Sequence, residues 1–202
     1  MQVVQAGERQ RVGRRLGLEP YYEIAERGPG RLRLESRPAA NRRAGLAIMA
    51  GGAALLLAAT LVAGSGLLAA ASGAGFAAAA LAAVVGGLLG ALGYQRALGG
   101  YAVLTTRNIV LADADSGMLT LTQVNRVASA RSQQLPFARI QGLRLRRRPL
   151  AVGWPLRRVR PIIALELITA TGEIWVVDSA GEVEELRAAA ESLSEVLGIA
   201  LG

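Results

Sequence analysis

The side chains best able to do chemistry in this sequence are arginines. Arg144, Arg146, Arg147, Arg148, Arg157, Arg158 and Arg160 fall within seventeen positions, in the runs RLRRRP at 144–149 and PLRRVRP at 155–161. A guanidinium stays charged at any physiological pH and forks onto phosphate or carboxylate oxygens. Close to an anionic leaflet each one contributes about 1 kcal/mol of attraction, decaying over a Debye length. The patch is therefore the expected site for lipid phosphate or an acidic partner. The competing reading is a solvated loop whose charge only reinforces topology. Nucleic acid is not expected as a partner, because the strip has no interleaved aromatics on which bases would stack.

Elsewhere the sequence excludes more than it offers. The 202 residues include no Cys and no His, which removes disulfides, thiolate nucleophiles, imidazole bases and the two commonest zinc ligands. Asp113 and Asp115 in DADSG suggest a calcium loop, but the remaining oxygen ligands are missing at the required spacing, so a hairpin turn is expected. Glu166 is a lone carboxylate on an apolar stretch, expected to alternate outward or to meet an arginine. Glu182, Glu184, Glu185, Glu191 and Glu195 give the last segment an acidic face. None of these forms a catalytic constellation, so no enzyme activity, metal or cofactor is expected. All 23 cations are arginine, for a formal net charge of +8. With Ala and Gly so abundant, part of that excess reads as base composition rather than phosphate recognition.

The elements that must position the patch include a long apolar stretch. From Ala44 to Gln95 no side chain is charged. A helix crossing hydrocarbon needs about 20 apolar residues at about 1.5 Å each. Two spans are expected, near 45–70 and 76–95, broken at Ser72, Gly73, Ala74 and Gly75. Lipid offers no water to backbone amides, so the pair should form a helical hairpin. Gly86 and Gly90 make a small-xxx-small pair, with Gly87 and Gly93 nearby, through which the helix would approach its partner or a second copy. Arg37, Arg42 and Arg43 precede the run, Arg96 and Arg107 follow it, and the connecting turn is uncharged. The positive-inside rule then predicts a two-pass protein of the inner (plasma) membrane with both termini cytoplasmic. The run starts too late and continues too long for a signal peptide.

Residues 1–43 are expected as a cytoplasmic N-terminal tail with a β-hairpin at 21–36, residues 44–95 as the transmembrane hairpin, and residues 96–202 as a cytoplasmic domain. Within the tail, residues 1–18 are arginine-rich and aperiodic, a loose tail or an interfacial helix. Strand-like runs at 101–112, 118–124, 126–131, 139–147, 161–169 and 173–178, with turn chemistry at 113–117 and 170–172, predict an antiparallel meander. Ser179 and Glu182 read as a capping box for an amphipathic helix over 180–197. Its apolar stripe is Val183, Leu186, Ala190, Leu193 and Leu197, and Gly198 ends it.

Several strands closed by one C-terminal helix is the plan of a pleckstrin-homology-like (PH-like) domain. YAVLTTRNIV at 101–110, LPFARIQGL at 135–143 and ALELITATGEIWVV at 164–177 resemble bacterial membrane-anchored PH-like proteins, with Tyr101, Thr105, Arg107, Leu135, Pro136 and Ile140 as the matching positions. The resemblance implies an α+β membrane protein: a two-helix transmembrane hairpin plus an antiparallel PH-like β domain closed by a C-terminal amphipathic helix. It also implies a non-enzymatic scaffold or binding role toward a protein partner or anionic lipid. GYQR at 93–96 and LGIAL at 197–201 resemble the photosystem I assembly factor of cyanobacteria and plastids, which implies assembly of a membrane complex. The arginine-rich extension before the first helix departs from that family. The Gly- and Ala-rich helices carry a third expectation, an oligomeric channel-like protein. Expected partners are membrane lipids, a membrane protein and a second copy of the chain.

Overall fold

The computed structural model describes residues 18–73, 75–152 and 158–202. The described chain is α+β, and its contacts divide it into two units. Pro38–Arg107 and Val124–Ala130 form one unit, and the rest forms the other.

The first unit is built on two helices, α1 (Pro38–Ala71) and α2 (Phe76–Thr105). Both are long and apolar enough to cross a membrane, with hydropathies of 2.3 and 2.1. α1 opens on a proline, whose missing N–H has no intrahelical partner to lose in the first turn. The two helices run antiparallel along a seam of small residues. Gly45, Gly52, Ala59 and Gly66 of α1 and Gly86, Gly93 and Gly100 of α2 are its buried positions, spaced by seven in each helix. A Cβ on Gly52 would stand 2.6 Å from the Ala97 nitrogen, and one on Gly100 2.7 Å from the Met49 nitrogen, so bare backbone is required there. At the open end Asn41 Nδ2 donates to the Thr106 carbonyl at 3.0 Å.

Both helices exceed their expected bounds. α1 starts at Pro38 rather than near 45 and takes Arg42 and Arg43 into the helix. α2 continues past 95 to Thr105 and absorbs the first half of the strand expected at 101–112. The run YAVLTT has strand-like composition, but Gly93 and Gly100 keep the same close approach to α1, and tertiary packing overrides local preference.

The second unit holds two antiparallel sheets. β1 (Tyr22–Gly28), β2 (Arg31–Ser36), β3 (Arg107–Asp113), β4 (Met118–Val124) and β5 (Arg131–Pro136) lie side by side in chain order. β6 (Ile140–Val152), β7 (Arg158–Thr169) and β8 (Ile174–Ala180) form the other sheet. The hairpin at 21–36 is thus no separate element of a tail. β2 pairs with β3, Leu34 opposite Val110, so the sheet takes up both ends of the chain that leads into and out of α1 and α2. Asn108 N donates to Ser36 Oγ at 3.0 Å across that junction. At the β3–β4 turn, Asp113 accepts from Asp115 N and Ser116 Oγ at 3.2 and 3.0 Å, and Gly117 takes a positive φ of 63°. The strand expected at 126–131 is a loop instead. Asn125 Oδ1 accepts from the nitrogens of Val127 and Ala128, an Asx turn that competes with strand pairing, and β5 starts only at Arg131.

The core lies where Leu32, Leu34, Leu119, Leu143, Leu165 and Leu167 of the sheets meet α3 (Glu184–Leu197). Leu186, Ala190, Leu193 and Leu197 of the expected stripe are buried, whereas Val183 is exposed. The expected capping box does not form: Ser179 is buried within β8, and Val183 occupies the cap position without a side-chain bond. The Glu185 carboxylate accepts from Glu182 N at 3.3 Å instead. Gly198 ends the helix in the left-handed region, φ 67°.

Candidate functional site

The arginine cluster sits on paired strands rather than on a loop. β6 and β7 pair without interruption from Gly142 opposite Ile168 to Val152 opposite Arg158. β8 reaches only as far as Ile163 opposite Ala180. Beyond that point β6 and β7 continue as a two-stranded arm. Directly opposed residues of an antiparallel pair share a face. Arg144 is opposite Glu166, Arg146 opposite Ala164, Arg148 opposite Ile162, Leu150 opposite Arg160, and Arg158 falls two further along. One face of the pair therefore carries Arg144, Arg146, Arg148, Arg158 and Arg160 along its length, with Glu166 as the one carboxylate among the described β6 and β7 residues of that face. Arg147 is on the reverse face, opposite Ile163. Arg157 lies outside the described residues.

Glu166 organises the inner half of this face. Its side chain is 0% exposed, on the central strand of the three-stranded sheet. A carboxylate so buried is strongly unfavourable unless its oxygens are paired. Arg144 meets Oε2 through Nε and Nη2, both at 3.0 Å, and Arg148 Nε donates to Oε1. These two arginines keep only 32% and 20% of their side chains exposed. Arg144 thus presents one edge of its guanidinium to the carboxylate, and Arg148 its Nε. Arg158 and Arg160 are exposed, and neither has an ion pair among the described residues. Arg146 and Arg147 are also exposed.

The seven cations consequently differ in kind. Two serve a buried anion, and the outer pair on the arm is exposed. The alternation of Arg144, Arg146 and Arg148 with Leu143 and Leu145 was the available signal, since a period of two assigns faces. Glu166 was visible as a charge in an apolar run, but only the strand register identifies its partners.

The helix-packing residues also separate. A Cβ on Gly86 would lie 3.2 Å from the Ala59 carbonyl, within the seam, while one on Gly90 would meet only Ala59 Cβ at 3.8 Å. Gly87 faces open space. The operative spacing is seven, not four, and it was readable as Gly86, Gly93 and Gly100.

Among the described residues no group of three acidic side chains could hold a metal. A cleft of about 610 Å³ between β5 and the β7–β8 turn is lined by Gln133, Gln134, Arg139, Thr171, Glu173 and Trp175. Compared with known proteins, the chain matches no family model and no curated protein.

Proposed function

We propose that this chain is a two-pass membrane protein whose helical hairpin anchors a PH-like β domain at the cytoplasmic face of the inner membrane. There the arginine face of β6 and β7 binds anionic lipid phosphate or an acidic membrane-protein partner, without catalysis. The observation that carries the anchoring is the openness of the two helices: only 11% of each apolar window is buried. A core helix of a soluble protein would bury its apolar surface at about 25 cal/mol per Å². Here Leu57, Leu61, Leu67, Leu68, Leu81 and Leu88 all face outward, as lipid contact demands. The pairing of β2 with β3 supports an even number of crossings, because the chain leaves and returns at neighbouring strands. The flanking arginines support the cytoplasmic side. An antiparallel meander closed by α3 is the plan that the PH-like reading expects.

Anchoring would act by position, raising the effective concentration of the arginine face toward membrane neighbours. Its test uses the full chain in nanodiscs of phosphatidylcholine with phosphatidylglycerol, with retained anionic lipid counted by native mass measurement. Arg158→Gln with Arg160→Gln removes two exposed cations that have no ion pair among the described residues. At about 1 kcal/mol each, retention should weaken roughly 30-fold. Unchanged retention would remove lipid from the proposal and leave the acidic protein partner.

A further inference from the structure

We infer that the β4–β5 connection, Val124 at the end of β4 together with residues 125–130, is a second membrane contact, lying in the cytoplasmic headgroup layer beside the base of the hairpin. Val124 and Val127 would meet the acyl boundary and Arg126 a lipid phosphate. The inference rests on the membrane reading above.

Although β4 and β5 belong to the sheet, their connecting loop groups with the helices. Arg126 N donates at 3.3 Å to Oγ1 of Thr105, the last residue of α2. The Asx turn at Asn125 shapes the loop and leaves Val124 and Val127 39% and 41% exposed. Arg126 is exposed between them and has no ion pair among the described residues. Exposed apolar side chains flanking a cation are the composition of an interfacial segment. Arg42, Arg43 and Arg107 lie at the same end of the helical unit, where Asn41 binds the Thr106 carbonyl.

Depth decides whether this end reaches the lipid. The seam sets Gly45 against Leu104 and Gly52 against Ala97, so Arg96 is level with Gly52, about two turns below the loop. The uncharged part of α1, Ala44–Ala71, has 28 residues. At 1.5 Å each it spans about 42 Å, the thickness of a bilayer with its headgroups. The uncharged part of α2, 76–95, spans about 30 Å, the hydrocarbon alone. Fitting the membrane to α2 would strand Leu46, Leu98 and Tyr101, which are 48%, 40% and 36% exposed, in water. Fitting it to α1 instead asks only that Arg96 snorkel along its aliphatic stem toward the surface. The second arrangement satisfies both helices and places Arg42, Arg43, Arg107 and Arg126 among the headgroups.

The chain has no cysteine, so one introduced thiol gives one addressable probe. The full chain carrying Val127→Cys, spin-labelled in phosphatidylcholine–phosphatidylglycerol vesicles, is measured for accessibility to oxygen and to a water-soluble nickel chelate. Val124→Cys repeats the measurement, and Leu61→Cys reports the hairpin. The expected result is oxygen access with reduced nickel access at both valines, at a shallower depth than at Leu61. Nickel access equal to that of the free label at both valines, with Leu61 deep, overturns the loop contact and leaves the anchor intact. Shielding from both reagents means that protein, such as a second copy, covers the loop, and also overturns it. An aqueous Leu61 probe defeats the membrane reading itself.

Discussion

The two units cohere by opposite means. In the β unit Leu32, Leu34, Leu119, Leu165, Leu167, Leu186 and Leu193 are 0–1% exposed, so large side chains are withdrawn from water. In the helical unit every buried residue among those described is Gly or Ala. Leu57, Leu61, Leu67 and Leu68 there are 63%, 67%, 74% and 73% exposed. One unit hides its bulk inside, and the other turns its bulk outward and lets backbones touch. On the membrane reading proposed above, the difference follows from the solvent each unit would meet. Between helices in lipid the hydrophobic effect offers little, and close van der Waals contact is what remains.

The sharpest way to break this comparison is to truncate one leucine in each unit. Leu165→Ala should destabilise the β unit by about 2–5 kcal/mol, through lost burial and the cavity left behind. Leu57→Ala, on the open side of α1, should change the helical unit by less than about 0.5 kcal/mol. Denaturant unfolding of the full chain in detergent, followed by Trp175 emission in a Trp154→Phe background, gives the first number, and loss of helical ellipticity on titration with a denaturing detergent gives the second. Equal costs would show that α1 buries its leucines and that the contrast is illusory.

A smaller effect is expected when bulk is added rather than removed. A Cβ on Gly93 would stand 2.9 Å from the Leu56 nitrogen, whereas Gly87, six residues earlier, has nothing within 4 Å. Gly93→Leu should weaken the hairpin by about 1–3 kcal/mol, and Gly87→Leu should leave it unchanged. Disulfide formation between Ala59→Cys and Gly90→Cys reports the outcome, since their Cβ atoms would be 3.8 Å apart, within bonding reach. The yield should fall with Gly93→Leu only.

The sequence announced what depends on period and charge, and concealed what depends on partners. The absence of charge from Ala44 to Gln95 signalled two apolar helices, and the Leu186–Leu197 stripe signalled the closing helix, because each is a one-dimensional pattern. The extension of α2 through Thr105 was hidden, since YAVLTT favours a strand until Gly100 meets Met49. The Asx turn at Asn125 was hidden too, because a short run of small and β-branched residues at 126–131 is compatible with a strand until one side-chain oxygen holds two backbone nitrogens. In the candidate site, the arginines were plain from composition. That Arg144 and Arg148 pair with Glu166 required a register between residues 22 and 18 positions apart, which no local signal encodes.

The smallest expected effect concerns ion pairs and sharpens the comparison from within the β unit. Arg27 and Glu195 join β1 to α3 at 2.8 Å, but their side chains are 59% and 70% exposed. An exposed pair gives up side-chain freedom and is screened, so Glu195→Ala should cost no more than about 1 kcal/mol. In about 1 M salt, where the screening length falls to about 3 Å, that cost should shrink toward zero. The same salt should leave the Glu166 cluster nearly untouched, because ions cannot enter around a carboxylate with no exposed surface. If Glu195→Ala proved costly and insensitive to salt, α3 would be held by its charged face as well as by Leu186, Leu193 and Leu197. The β unit would then no longer owe its cohesion to buried bulk alone.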